Sequence, residues 1–183
     1  MWKVSGSARH TALKNQKSQT MQIKIRNACQ ADFVHIVELN QDAVQHTSQM
    51  DLQRLSLLDQ LAAYHKVATV DEHVAAFMFA MRDGANYVND NFRWFSERLE
   101  NFLYIDRIVV GAAFAGHKIG SAMYLDLFDF ARGEGISQVV CEYNVQPPNP
   151  VSQAFHAKWG FSEIGTHWLD NGAKRVSLQR VKI

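Results

Sequence analysis

The sequence predicts a single mixed α/β domain, an α+β sheet with about four helices packed on it. Three observations carry this. Short apolar runs of strand length alternate with segments of helical period along residues 21–183. A glycine-bearing loop joins the most apolar of these runs directly to an amphipathic helix. The length, 183 residues with 47% apolar and 20% charged side chains, suits one core and excludes a chain disordered throughout.

The elements follow in order. Gln22 to Arg26 alternates polar and apolar residues and reads as a strand. Phe33, Ile36, Val37, Asn40 and Val44 fall at helical spacing and predict a helix over 31–46. Leu52, Leu55, Leu58 and Ala62 predict a second, ending near Tyr64. Lys66–Val70 and Val74–Met81 form a hairpin around Asp71-Glu72-His73. Residues 83–101 read as a long insertion, with Tyr87, Phe92, Trp94 and Phe95 set among Asn and Asp and one helical turn around Trp94. These aromatic side chains suit either the wall of a substrate pocket or packing within the insertion.

Phe102–Val110 is a strand interrupted only by Asp106 and Arg107, and the loop 111–120 runs from it into a helix over 119–132. Asp126, Asp129 and Arg132, three apart, mark that helix's expected wet face, and Gly133 and Gly135 end it. Gln138–Val145 is a strand broken by Gln146-Pro147-Pro148-Asn149-Pro150. A short helix to Trp159 is closed by Gly160, and two last strands flank Asp170-Asn171-Gly172.

Charge and composition narrow the function. Lys3, Arg9, Lys14 and Lys17 stand in residues 1–20 without an acid, leaving 15 basic against 18 acidic residues in 21–183. The folded part is weakly acidic, which argues against a nucleic-acid partner. Residues 1–20 lack the apolar centre of a secretory signal and read as a flexible basic tail, or as the product of a start upstream of Met21. No apolar run reaches the ~20 residues a spanning helix needs, so no membrane role is expected. Cys29 and Cys141 make neither a disulfide framework nor a zinc spacing and suit a reducing cytoplasm. The scattered histidines, His35, His46, His65, His73 and His167, give no ligand pair, so no metal is expected.

Two segments carry chemistry. A loop with glycines entering a helix collects free backbone N–H groups and the positive end of the helix dipole, an anion site suited to a pyrophosphate. Here it spans Ala115-Gly116-His117-Lys118-Ile119-Gly120, with His117 and Lys118 as further donors. Read alone, the same pattern also serves a tight turn. The second segment runs from Asn149 through Ser152 and His156 to Gly160-Phe161.

Together these segments resemble the GNAT superfamily of acetyl-CoA-dependent N-acyltransferases, and the chain also resembles a bacterial subgroup of predicted acetyltransferases. The family loop has the form Q/R-x-x-G-x-G/A. Its usual Gln or Arg is Ala115 here, and its middle glycine is Lys118. The family's frequent Tyr on the last short helix is His156. The resemblance implies that the strands 102–110 and 138–145 splay apart to admit acetyl-CoA. It implies a pantetheine arm paired with the main chain of Ile108, Val109 and Val110, and a pyrophosphate over Ala115, Gly116, His117, Lys118, Ile119 and Gly120, with Asn149 and Ser152 also at the cofactor. An amine then attacks the thioester directly.

Asp106 and Glu142 are the acids nearest that cleft in sequence. Glu142, mid-strand among apolar residues, reads either as a general base or as a carboxylate paired with Arg107, Arg132 or a backbone donor. Asp106 either holds a cationic substrate or pairs with a neighbour. His156 either protonates the departing thiolate or packs against coenzyme or core. The expected activity is acetyl transfer to the primary amine of a small molecule. Two alternatives stand beside it: an acyl-CoA-binding domain with little turnover, and a protein or peptide N-acetyltransferase. Exposed sheet edges leave room for a homodimer that the sequence does not show.

Overall fold

The computed structural model describes residues 21–45 and 47–183. The basic tail and His46 lie outside the described residues. Seven strands form one sheet: β1 (Ile23–Asn27), β2 (Tyr64–Val70), β3 (His73–Arg82), β4 (Phe102–Val110), β5 (Gln138–Gln146), β6 (Ser162–Leu169) and β7 (Lys174–Lys182). They lie in the order β1-β2-β3-β4-β5-β7-β6. Five helices cover it: α1 (Phe33–Asp42), α2 (Leu52–Leu61), α3 (Asp90–Ser96), α4 (Ile119–Gly133) and α5 (Pro150–Lys158). The mixed α/β class is as the sequence predicts.

Three helix starts are set by short polar caps. Asp51 accepts from Arg54 N at 2.7 Å, Asn89 from Phe92 N at 3.0 Å and Asn149 from Ser152 N at 3.1 Å. Each satisfies one of the amides that a helix's first turn leaves free. Pro150, in the first turn of α5, has no amide to satisfy there. The fifth helix, α3, is the helical turn expected around Trp94, extended to the seven residues Asp90–Ser96, still too short for a periodic signal. The first helix is shorter than predicted, ending at Asp42, and β2 begins at Tyr64 rather than Lys66.

The sheet separates two apolar layers. Leu103, Ile105, Ile108, Val110, Val139 and Cys141 face α4, where Met123, Tyr124, Leu127 and Phe128 recur at helical spacing. Phe102, Tyr104, Val109 and Val140 face the opposite layer with residues of α1, α2 and α3. Asp126 is not on the wet face of α4: it accepts from Tyr64 Oη at 2.8 Å and Lys66 Nζ at 2.6 Å, tying α4 to β2.

Two irregularities shape the site. Phe79 pairs with Arg107 but Ala80 pairs with Ile105, so Asp106 is an extra residue bulging from β4. A bulge re-aims the side chains that follow it. It brings Asp106 and Arg107, adjacent in sequence, to the same side of the sheet. The second is a splay. β4 and β5, the parallel pair, are bonded only over Phe102–Tyr104 against Gln138–Val140. Beyond Tyr104 the β4 edge facing β5 is unpaired. Among the described residues, no helix is long and apolar enough to cross a membrane.

Candidate active site

A cleft of about 870 Å³ opens where β4 and β5 part. Ile105 to Val110 form one wall and Cys141 to Asn144 the other. It runs through the sheet, so one end meets the α4 layer and the other the α3 layer.

At the α4 end the glycine loop delivers amides. Gly116 and Lys118 take φ of +80° and +61°, turning the chain sharply into α4. Among the described residues, no backbone carbonyl takes the amides of Gly116, Lys118, Ile119, Gly120 or Ser121. Free amides in a left-handed turn, at the N-terminus of a 15-residue helix, make a concave anion site. Lys118 occupies the place where the family loop carries its middle glycine, at a φ that a side chain tolerates only with strain. At Gly120 a Cβ would meet Phe155 and Val110 at 3.6–3.7 Å, ordinary contact, which fits the G/A tolerance of that position. The loop's amides and the unpaired β4 edge fit a phosphorylated, amide-containing chain such as acetyl-CoA.

His156 and Ser152 lie at this same end. His156 is buried, and burial lowers its pKa below the ordinary imidazole value, against a hydrogen bond from its ring to the Ser152 carbonyl. That carbonyl, 2.7 Å from Nδ1, can only accept, so Nδ1 carries the proton. Nε2 then accepts from Tyr124 Oη at 2.7 Å. Phe155, Phe161 and Tyr143 pack around the ring. Both imidazole nitrogens are therefore engaged in the structure. Asn149 and Ser152 both line the cleft, and their mutual hydrogen bond caps α5.

The α3 end holds the acids. Glu142 does not pair with Arg107 or Arg132; it accepts from Tyr104 Oη at 3.0 Å. Its other oxygen, Oε2, is buried and has no partner. Burial, then the nearby Asp106 charge, push its carboxyl up to about 8, against the Tyr104 and Asn91 side chains and the Lys174 charge. Asp106 pairs with Arg107 Nε at 2.8 Å and accepts from Tyr87 Oη. Arg107 in turn donates to Asn40 Oδ1 at 2.9 Å and to Ser48 Oγ at 2.8 Å, anchoring the segment between α1 and α2 beside the cleft. Helix α3 roofs this end. Its Trp94 lies so close to Gly165 of β6 that a Cβ there would be 2.7 Å from the indole. Asn89, Asp90 and Asn91 line the cleft from above.

The predicted residues thus fall on both faces of one slot: the loop, Asn149, Ser152 and His156 towards α4, Glu142 and Asp106 towards α3. Sequence reasoning missed Tyr124, Tyr104, Asn91 and Lys174. Tyr124 stands one helical turn past Gly120, and Tyr104 pairs with Val140, two residues from Glu142 along β5. Those offsets were visible, but their use required the sheet register. Among the described residues, no three His, Cys, Asp or Glu side chains gather as a metal site.

A splayed β4–β5 pair with a glycine loop at one mouth is the arrangement that the resemblance in sequence implies. The chain belongs to the acetyltransferase (GNAT) family, whose model matches residues 31–161. Among solved structures it is similar to yncA, a putative acetyltransferase from Salmonella typhimurium solved with its cofactor acetyl-CoA. The two share 22% identity over 88% of this chain and 94% of that one, with a TM-score of 0.68. Ard1 from Thermoplasma volcanium gives a TM-score of 0.72 at 15% identity, covering 88% and 97% of the two chains. The ribosomal-protein-alanine N-acetyltransferase from Brucella melitensis gives 0.67 at 20% identity, covering 87% and 99%. At these identities the likeness is one of fold. No curated protein matches the chain.

Proposed function

We propose that the protein transfers the acetyl group of acetyl-CoA to the primary amine of a small molecule, by direct attack within a ternary complex. The observation that carries this is the two-ended slot. Free loop amides stand at one mouth, and a carboxyl with an unpartnered oxygen stands at the other. Acetyl-CoA supplies a thioester, whose carbonyl carbon takes the amine nitrogen and whose sulfur leaves as a thiolate.

The chain's own groups divide the remaining work. The amides of Gly116, Lys118, Ile119 and Gly120 hold the diphosphate. The unpaired edge at Ile108, Val109 and Val110 aligns the arm, which removes much of the entropic barrier to attack. Glu142, as carboxylate, takes the proton the amine loses as C–N forms and C–S breaks. A base whose pKa lies near 8 is better matched to an ammonium group than an ordinary carboxylate. Asp106 holds the bulge and places Tyr87 rather than meeting substrate with a free charge.

His156 is proposed as proton donor to the thiolate, with a limited share of the rate. A thiol is far more acidic than an alcohol, so sulfur departs as a thiolate without requiring full protonation. The ring must also surrender a bond to Tyr124 or Ser152 to reach sulfur. That engagement favours the second reading, an acyl-CoA binder with little turnover.

The test is release of CoA-SH over a panel of small amines and N-terminal peptides, with Glu142→Gln alongside. Amine-dependent release that falls on substitution supports the enzyme. Binding of acetyl-CoA without release from any amine selects the binder, and acetylation of peptides alone selects a peptide acceptor.

A further inference from the structure

The α3 end of the cleft contains polar groups that nothing in the chain satisfies, and they specify an acceptor more narrowly than an amine. This inference rests on the acetyltransferase reading above. Asn91 is 5% exposed, yet its Oδ1 has no hydrogen-bond partner. Glu142 Oε2 is likewise buried without one. The two side chains are neighbours, close enough for the Asn91 amide to favour a charged Glu142. Once Glu142 is ionised, its Oε2 and the Asn91 Oδ1 are both buried acceptors, and unsatisfied buried acceptors cost about 1–3 kcal/mol each, so the ionised site favours a ligand that supplies donors.

A third group completes the pattern. Lys174, the first residue of β7, lines the same cleft. Among the described residues, no carboxylate lies within ion-pair distance of its ammonium. The other charges at this end are already matched: Asp106 with Arg107, and Asp90 with Arg93. Among the described residues, two unpartnered oxygens and one cation outside the ion pairs therefore remain at this end. Ala43, Leu169 and Val176 offer an apolar wall beside them.

We propose that the acceptor is an α-amino acid with an apolar side chain, its amino group donating to Glu142 Oε2 and Asn91 Oδ1 and its carboxylate meeting Lys174. A peptide N-terminus has the amine but no carboxylate on the same carbon, and a simple alkylamine leaves Lys174 unmatched. The reaction balances without a further reactant. The amine nitrogen bonds the acetyl carbon, C–S breaks, one amine proton passes to Glu142, and the product is an N-acetylamino acid with CoA-SH. Acetylation removes the ammonium charge and leaves the carboxylate on Lys174.

The test uses the full chain and acetyl-CoA, with the twenty amino acids, L-leucinamide and the peptide Leu-Gly-Gly as acceptors. L-leucine and L-leucinamide share side chain and α-carbon and differ at the carboxylate, so, compared at equal concentrations of free amine, they are the decisive pair. Wild type is expected to prefer leucine. Lys174→Gln is expected to raise KM for leucine on the order of tenfold more than KM for leucinamide, on top of a smaller effect that both acceptors share through the loss of the Lys174 charge beside Glu142. Lys174→Arg is expected to restore most of the difference. Asn91→Leu is expected to raise KM for both acceptors. Equal use of leucine and leucinamide by wild type, or an equal loss of both in Lys174→Gln, overturns the proposal. So does acetyl-CoA binding with turnover of peptides or simple amines alone, or of none of these acceptors, although the cofactor site then stands. Absence of acetyl-CoA binding overturns the acetyltransferase reading itself, and the amino-acid proposal with it.

Discussion

Glu142→Gln separates the stability of this fold from its chemistry. In the folded protein the Glu142 carboxyl is raised from 4.5 to about 8, chiefly by burial. The native state therefore holds its proton more tightly than the unfolded chain does. That contribution is fully present below about pH 4.5 and is lost as pH rises through about 8. Between about pH 5 and pH 8 the loss is about 3.5 kcal/mol, a large share of the stability of a domain this size. Glutamine does not titrate. Its carbonyl can still accept from Tyr104, and its amide can donate to the orphaned Asn91 Oδ1. Urea denaturation of both proteins across this range gives the difference directly, because every other titrating group is shared. The variant should gain on wild type by roughly 3 kcal/mol as pH rises, while kcat falls by a factor of about 100 or more. A difference in stability that stays flat with pH refutes the account of Glu142 as a carboxyl held neutral by burial.

Other consequences are as accessible. Activity of the wild type should rise with pH along a limb centred near the Glu142 value of about 8, read from kcat/KM at saturating acetyl-CoA. Acetyl-CoA at about 100 times its Kd should raise the melting temperature by on the order of 5–10 °C, with no shift from ATP. Gly116→Ala, at φ +80° with open space around it, should lose about 1 kcal/mol or more by backbone strain alone. Lys118→Gly, relieving φ +61°, should keep or slightly raise stability; a lower melting temperature refutes the strain assigned to that residue. His156→Phe removes the acceptor from Tyr124 and should lower stability by about 1–3 kcal/mol in denaturant titrations. Turnover should fall no more than about tenfold, since the thiolate is a good leaving group. Undiminished turnover at saturating amine and acetyl-CoA removes His156 from the mechanism.

Much of this molecule is legible along the chain, for reasons that particular residues make plain. The glycine loop and α4 announce themselves because Ile119, Met123, Leu127 and Phe128 keep a helical period immediately after Gly116. The seven strands are readable because their apolar runs are bounded by turns. Helix α3 is legible only as a helical turn around Trp94, since seven residues with aromatic side chains at Phe92, Trp94 and Phe95 are too few to show a period. The bulge at Asp106 is a property of two strands in register, so no single strand records it. The site was half visible. Glu142 stands out as an acid in an apolar strand, but its partner Tyr104 lies 38 residues away and only the sheet register brings them together. Similarly, the Asn149–His156 segment is recognisable, whereas Tyr124, 32 residues before His156, enters through the packing of α4 on α5.

The three rungs that join β4 to β5 have a mechanical meaning. They make the protein two leaves on a short spine, β1 to β4 on one side and β5 to β7 on the other. Trp94 reaches from the first leaf to Gly165 of the second and acts as a clasp at the open margin. A molecule that threads the gap would touch both leaves at once and serve as their missing rungs. Opening along the spine breaks fewer residue pairs than any other seam of the sheet, and occupancy of the gap is what would suppress it. In hydrogen exchange, the amides of the β4–β5 rungs over Phe102–Tyr104 and Gln138–Val140 should report the leaves parting before the β2–β3 hairpin loses any protection.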